Sequence, residues 1–142
     1  FVSLKQDGAL RGCIGNLQQA PLFASVVRNA QAAALRDPRF SPLQRDELDH
    51  TRIEISLMSP MSEIPAATRE QLLAALRPGV DGLVLSAGLC SAVFIPAVWD
   101  QIADADEFVD ALLLKGRFPR ARWPVGMHAE RFTAELFEED RP

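Results

Sequence analysis

Cysteine is scarce in this chain: among 142 residues only Cys13 and Cys90 carry thiols. Two cysteines so far apart do not make a disulfide framework, and they fit a reducing, cytoplasmic setting. Histidine is equally scarce. His50 and His128 stand alone, with no Cys-x-x-Cys or His-x-x-x-His spacing, which argues against a zinc site. Basic charge is not in excess either. Lys and Arg number 15 against 19 Asp and Glu, for a net charge of -4 and a pI of about 5.1. That balance speaks against a broad nucleic-acid surface. No apolar run approaches a membrane span, and no signal peptide is visible. Phosphate-loop, dinucleotide and Gly-x-Ser-x-Gly motifs are missing.

What is present suffices for one soluble globular domain. The length suits a single domain, and 48% hydrophobic residues with 24% charged can build a sizeable core. The most informative stretch is Leu10-Arg11-Gly12-Cys13-Ile14-Gly15, which places an arginine, a thiol and two glycines on one expected strand. Glycine inside a strand often marks a bulge, or a close approach by a ligand or another backbone. A neighbouring guanidinium is a combination that lowers a thiol pKa.

Alternation of Val2 and Leu4, a turn signal at Asp7-Gly8, and alternation of Leu10, Gly12 and Ile14 predict a β-hairpin. A two-residue Asp-Gly turn would set Leu4 against Arg11. A three-residue loop Gln6-Asp7-Gly8 pairs Leu4 with Leu10 and Val2 with Gly12, keeping one face apolar, and is the expected form. Pro21 to Arg36 reads as a helix with Leu22, Val26, Ala30 and Ala33 or Ala34 on its packed face. Asp37-Pro38 breaks it, and Leu43 to Leu48 suits a short helical turn. Thr51 to Ser59 alternates again, with Ile53, Ile55 and Leu57 expected inward.

A similar order follows. Gly82 to Ala87 and Leu89 to Ile95 form a second expected hairpin, Asp106 to Lys115 a helix, and Glu130 to Phe137 a final strand. Thr68 to Leu76 is a short helix closed by Pro78-Gly79, and Trp99 is expected in the core after Pro96. The expectation is an α+β fold of one domain over 1–142. It would hold two pseudo-repeated β-β-α-β units, about 1–60 and 80–138, on one mostly antiparallel sheet. Superposing Gly8 on Gly88 sets Cys90 on the apolar face and puts Ser91 and Val93 where the first unit has Arg11 and Cys13. The Arg-x-Cys pair is then special to the first unit.

Arg11 and Cys13 would share a strand face with Cα atoms about 7 Å apart, and Glu54 could join them from a neighbouring strand. One chemistry for such a group is anion or acyl handling. Arg11 would bind a carboxylate or phosphate, Cys13 would attack as thiolate, and Glu54 would position either. The competing reading makes Cys13 a small packing residue and Arg11 a structural cation. Neither His50 nor His128 is placed to serve as a base. Asp81 reads as a turn residue opening a strand, Lys115 and Trp123 as a solvated cation and a packing aromatic. Arg117, Arg120 and Arg122 read as a solvated basic loop.

Five blocks together resemble the AMMECR domain family, the first component of the AmmeMemoRadiSam system in many bacteria and archaea. They are LRGCIG at Leu10–Gly15, Asn29-Ala30 with Asp37-Pro38-Arg39-Phe40, Ile53-Glu54-Ile55-Ser56, Gly79-Val80-Asp81-Gly82-Leu83 and Phe94-Ile95-Pro96-Ala97-Val98-Trp99. The similarity runs from Phe1 to about Phe137. It implies an α+β fold of duplicated β-rich units, with LRGCIG bordering a cleft between a larger and a smaller lobe. Arg11, Gly12, Cys13 and Glu54 are the expected ligand-binding residues, with Cys13 the candidate nucleophile. The resemblance also implies further N-terminal helical sequence ahead of Phe1-Val2-Ser3-Leu4. Its genomic company implies a modification pathway shared with Memo-like and radical-SAM proteins. Animal relatives imply the competing role of a non-catalytic interaction module. The residues name no cofactor, and which one, if any, the family uses is left unknown.

Overall fold

Strand alternation in the first fifteen residues yields a hairpin, β1 (Val2–Gln6) and β2 (Ala9–Ile14). The computed structural model describes residues 1–140, which divide into two compact units, 1–58 with 135–140, and 59–134. Each unit carries one four-stranded sheet, so the chain is α+β with two sheets where the sequence suggested one.

In the first unit the hairpin turn has two residues, Asp7 and Gly8, both at positive φ (49° and 79°), with Gln6 opposite Ala9. The expected three-residue loop does not form. A two-residue turn alone would have set Leu4 against Arg11. Instead a β-bulge leaves Arg11 without a cross-strand partner, so that Leu4 faces Gly12 and Val2 faces Ile14. The extra residue keeps Gly12 and Ile14 on the apolar face but turns Leu10, opposite Lys5, to the other face, against the expected pairing of Leu4 with Leu10.

Helix α1 (Leu22–Leu35) follows, started at Pro21, which needs no N–H there. It packs on β1 and β2, with Ala33 buried and its backbone close against Gly12. A 3-10 turn (Arg45–His50) leads into β3 (Thr51–Met58), antiparallel to β1 with Val2 opposite Ile55 and Leu4 opposite Ile53. Ile53 and Ile55 therefore share the Val2 face. The helix lies over β1 and β2, however, so Ile53 stays 38% exposed and Leu57 37%, against the inward expectation. Leu22 is exposed as well, off the packed side of α1. The last strand, β8 (Ala134–Glu138), completes the order β2-β1-β3-β8.

The second unit holds β4 (Ser62–Ile64), α2 (Arg69–Ala75), β5 (Gly82–Ala87), β6 (Cys90–Phe94), α3 (Ala105–Lys115) and β7 (His128–Phe132), with sheet order β4-β7-β5-β6. Strand β4 is not visible in the alternation. The expected single strand 130–137 is two strands parted at Thr133, whose N–H and carbonyl bond to the Ser59 hydroxyl and N–H. Side-chain caps start both helices: Thr68 accepts from the Gln71 N–H, and Asp104 from that of Glu107.

This unit holds a continuous core. Leu72, Leu83, Leu85, Phe108, Val109, Leu112 and Ala129 are fully enclosed, and Trp99 stacks on Phe108 with ring centroids 3.7 Å apart. The Trp99 indole N–H donates to the Asp81 carbonyl at 2.7 Å. The buried Asp81 carboxylate takes the Arg77 backbone N–H and guanidinium, with Arg131 3.8 Å away, so its role is to lock the Pro78-Gly79 turn. Both units contain a hairpin, a helix and a returning strand, but this does not establish an internal repeat. Gly8 is the second residue of its turn and Gly88 the first, and only the first hairpin carries the bulge at this position.

Candidate functional site

Ladder parity places the residues of the first sheet. Val2, Leu4 and Gln6 face α1; Ser3 and Lys5 face the opposite way. Ser3 is opposite both Cys13 and Glu54, so Cys13, Ser3 and Glu54 form one row across β2, β1 and β3. The Ser3 hydroxyl donates to the Cys13 sulfur at 3.3 Å. Glu54 pairs with Lys5, two residues along β1 from its cross-strand neighbour Ser3, and its side chain keeps only 13% exposure. Beside this row a groove of about 610 Å³ is lined by Lys5, Asp49, His50, Arg52, Glu54 and Glu138.

Arg11 does not join the row. The bulge directs its guanidinium to Glu47, which it grips through two nitrogens at 2.8 and 3.0 Å, and to the Ser41 carbonyl at 2.9 Å. Glu47 also accepts from Gln6, a residue of the α1-side face, and from the Gln44 N–H. Arg11 first, and then that N–H, lower the Glu47 carboxyl to about 2. The cation expected to meet a ligand is thus already neutralised. Gly12 is buried under α1, where a side chain would strike the backbone of Ala33. The close approach that its presence signals is made by a helix. Gly15 likewise leaves room for Phe1.

Two residues that sequence reasoning missed complete the picture. Strand β2 lies at the sheet edge, and its outward backbone groups at Cys13 need partners. The Cys13 N–H donates to the Asp37 carboxylate at 2.9 Å, and the Cys13 carbonyl accepts from Arg39 at 3.3 Å. Asp37 and Arg39 also bind each other, at 2.7 Å and 3.0 Å. The paired guanidinium, and next the Cys13 N–H, hold the Asp37 carboxyl far below the usual carboxylate range despite burial. The signal was an acid and a base two residues apart where α1 breaks. The Arg11–Glu47 pair had no signal, being 36 residues apart.

Several of the remaining candidates have structural partners. Lys115 donates to the Val93 carbonyl and sits over Phe94, while Trp123 donates to the Ala66 carbonyl. Cys90 is half-buried against the second core, its thiol 3.5 Å from the Arg117 carbonyl. His128 lies 3.4 Å from Glu63, and neither histidine bonds to Cys13. Among the described residues no group of three or more His, Cys, Asp or Glu could hold a metal, and no helix is long and apolar enough to cross a membrane.

The family sequence model for AMMECR1 matches residues 1–137. The chain belongs to the AMMECR1 family. A protein of Methanothermobacter thermautotrophicus is 34% identical over 143 residues, covering 99% of this chain and 74% of its own length. One from Thermococcus kodakarensis is 36% identical, covering 100% and 73%. The crystal structure of an uncharacterised protein from Pyrococcus horikoshii superposes with a TM-score of 0.86 at 31% identity, over 99% of this chain and 73% of that one. In this AMMECR1 chain the Leu10–Gly15 block thus divides its work. Arg11, Gly12 and Gly15 hold the fold, and Cys13 alone turns its side chain to the row with Ser3 and Glu54.

Proposed function

We propose that this AMMECR1 chain binds a small polar molecule on the first sheet, against Cys13, Ser3 and Glu54. It would act with Memo-like and radical-SAM proteins in a modification pathway. The observation that carries the reading is the cross-strand row itself, a thiol, a hydroxyl and a largely buried carboxylate, whose Glu54 end lines a polar groove. Arg52 brings positive charge to the groove, while Lys5, like Arg11, is already paired with a carboxylate. In this reading Cys13 is the contact atom, and Arg11 and Gly12 position it through the backbone.

The test is the rate of Cys13 alkylation by iodoacetamide as a function of pH, read by mass spectrometry with Cys90 as internal comparison. Both thiols are half-buried, but the Cys13 sulfur accepts from the Ser3 hydroxyl whereas the Cys90 thiol donates to the Arg117 carbonyl, so Cys13 is expected to react at least about tenfold faster at neutral pH. A Cys13 as slow as Cys90 sinks the proposal. A second reading, an interaction module, is favoured by the outer side of α1. Phe23 (82% exposed), Val27 and Leu35 line up there without cover. Pull-down by a Memo-like partner, lost on Phe23→Ser but kept on Cys13→Ala, would support that reading over the first.

A further inference from the structure

The segment after α3 carries three arginines that no function above absorbs. It is pinned at both ends. The Arg117 and Phe118 N–H groups close the helix on Leu114 and Leu113, in a Schellman arrangement with Arg117 at φ 56°. The Phe118 ring is buried, and Trp123 is tied to the Ala66 carbonyl. Between these anchors lies a groove of about 530 Å³, within the size range of small-ligand pockets. Leu114, 57% exposed, gives it an apolar floor with Leu113 and Pro119.

The charges around it are unequal in state. Arg69 is taken up by Asp106 and Asp110, at 3.0 and 2.7 Å. Arg120 and Arg122 have no hydrogen bond or ion pair among the described residues, and both line the groove. Each guanidinium offers five N–H donors in a planar fork suited to a carboxylate or phosphate. Two free cations are too few for a nucleic-acid surface on a chain of net charge -4. Asp110 also lines the groove but is held by Arg69, which leaves the two guanidinium groups as the unpaired charges there.

We propose that this groove is a second binding site, for a free amphipathic anion: a carboxylate or phosphate monoester on an apolar body of several carbons. The anionic head would sit between Arg120 and Arg122, and the chain would lie on Leu114 and Pro119. The probes are decanoate and decyl phosphate below their micelle concentrations, titrated calorimetrically into the full chain, with decanol as the neutral control. Both anions are expected to bind, and decanol is expected to bind at least tenfold more weakly. The double variant Arg120→Ala/Arg122→Ala should lose at least tenfold in affinity with an unchanged circular dichroism spectrum. Arg120→Lys/Arg122→Lys should fall between. Absence of anion binding, equal binding by the alanine variant, equal binding of decanol, or binding only to vesicles containing phosphatidylglycerol would each overturn the proposal.

Discussion

A β-carbon added to Gly12 would overlap the carbonyl oxygen of Ala33, a backbone atom of α1 that cannot swing aside. Gly12→Ala must therefore lift the helix off β2, at a cost of about 3 kcal/mol in overpacking. Gly8 gives the contrast. Nothing lies within 4 Å of an added β-carbon there, so Gly8→Ala is charged only for its positive φ, about 1 kcal/mol. Chemical denaturation of the two variants checks the order, and a Gly12→Ala as mild as Gly8→Ala would mean that α1 packs more loosely than described. At this scale the sequence was half legible. A glycine inside a strand announced that something comes close, but not that it was a helix turn rather than a ligand. Cys13 was legible as a residue set apart. The loss of Arg11 to Glu47 was not, because nothing in linear spacing links a bulged strand residue to a 3-10 turn 36 residues on.

Edge strand β2 shows how an element is finished by side chains. Its outward N–H and carbonyl at Cys13 are closed by Asp37 and Arg39, the first residues beyond α1 to do so. The Asp37 carboxyl is depressed by Arg39 and the Cys13 N–H, and that of Glu47 by Arg11 and the Gln44 N–H. Both carboxyls thus titrate lower in the folded than in the unfolded chain. Their stabilisation is complete above the unfolded carboxyl range near pH 4, and drains away as pH falls toward the folded values. The midpoint of thermal unfolding should fall steeply from pH 5 to pH 2. Asp37→Asn should start lower at pH 7 and fall less over that window; parallel curves would show that Asp37 is not linked to folding. The first two helices were readable because caps and breakers are local: Pro21, Thr68 and Asp37-Pro38. The hairpin was readable in position but not in register, since a bulge leaves no mark on an apolar alternation.

Over the whole molecule, chain order and sheet membership part company. Strand β4 follows β3 in the chain yet pairs with β7, and β8 follows β7 yet lies beside β3. Alternation reports that a strand exists, not which distant strand it meets, so one sheet was expected where two occur. Core depth is uneven for the same sequence reason. The large apolar residues Leu72, Leu83, Leu85, Phe108 and Leu112 all lie in residues 59–134 and enclose one another. The first unit buries Val2, Leu4 and Ala33, while Phe23, Val27 and Leu35 stay exposed. Opening free energy follows local burial, so amide exchange should be slowest in β5, β7 and α3 and faster in α1 by about two orders of magnitude. Exchange by mass spectrometry after peptic digestion measures this at each element. Equal protection of α1 and β5 in the isolated protein would mean that the outer side of α1 is covered in solution. Loss of that protection on dilution would identify a second copy as the cover, which would strengthen the interaction-module reading against the small-molecule one.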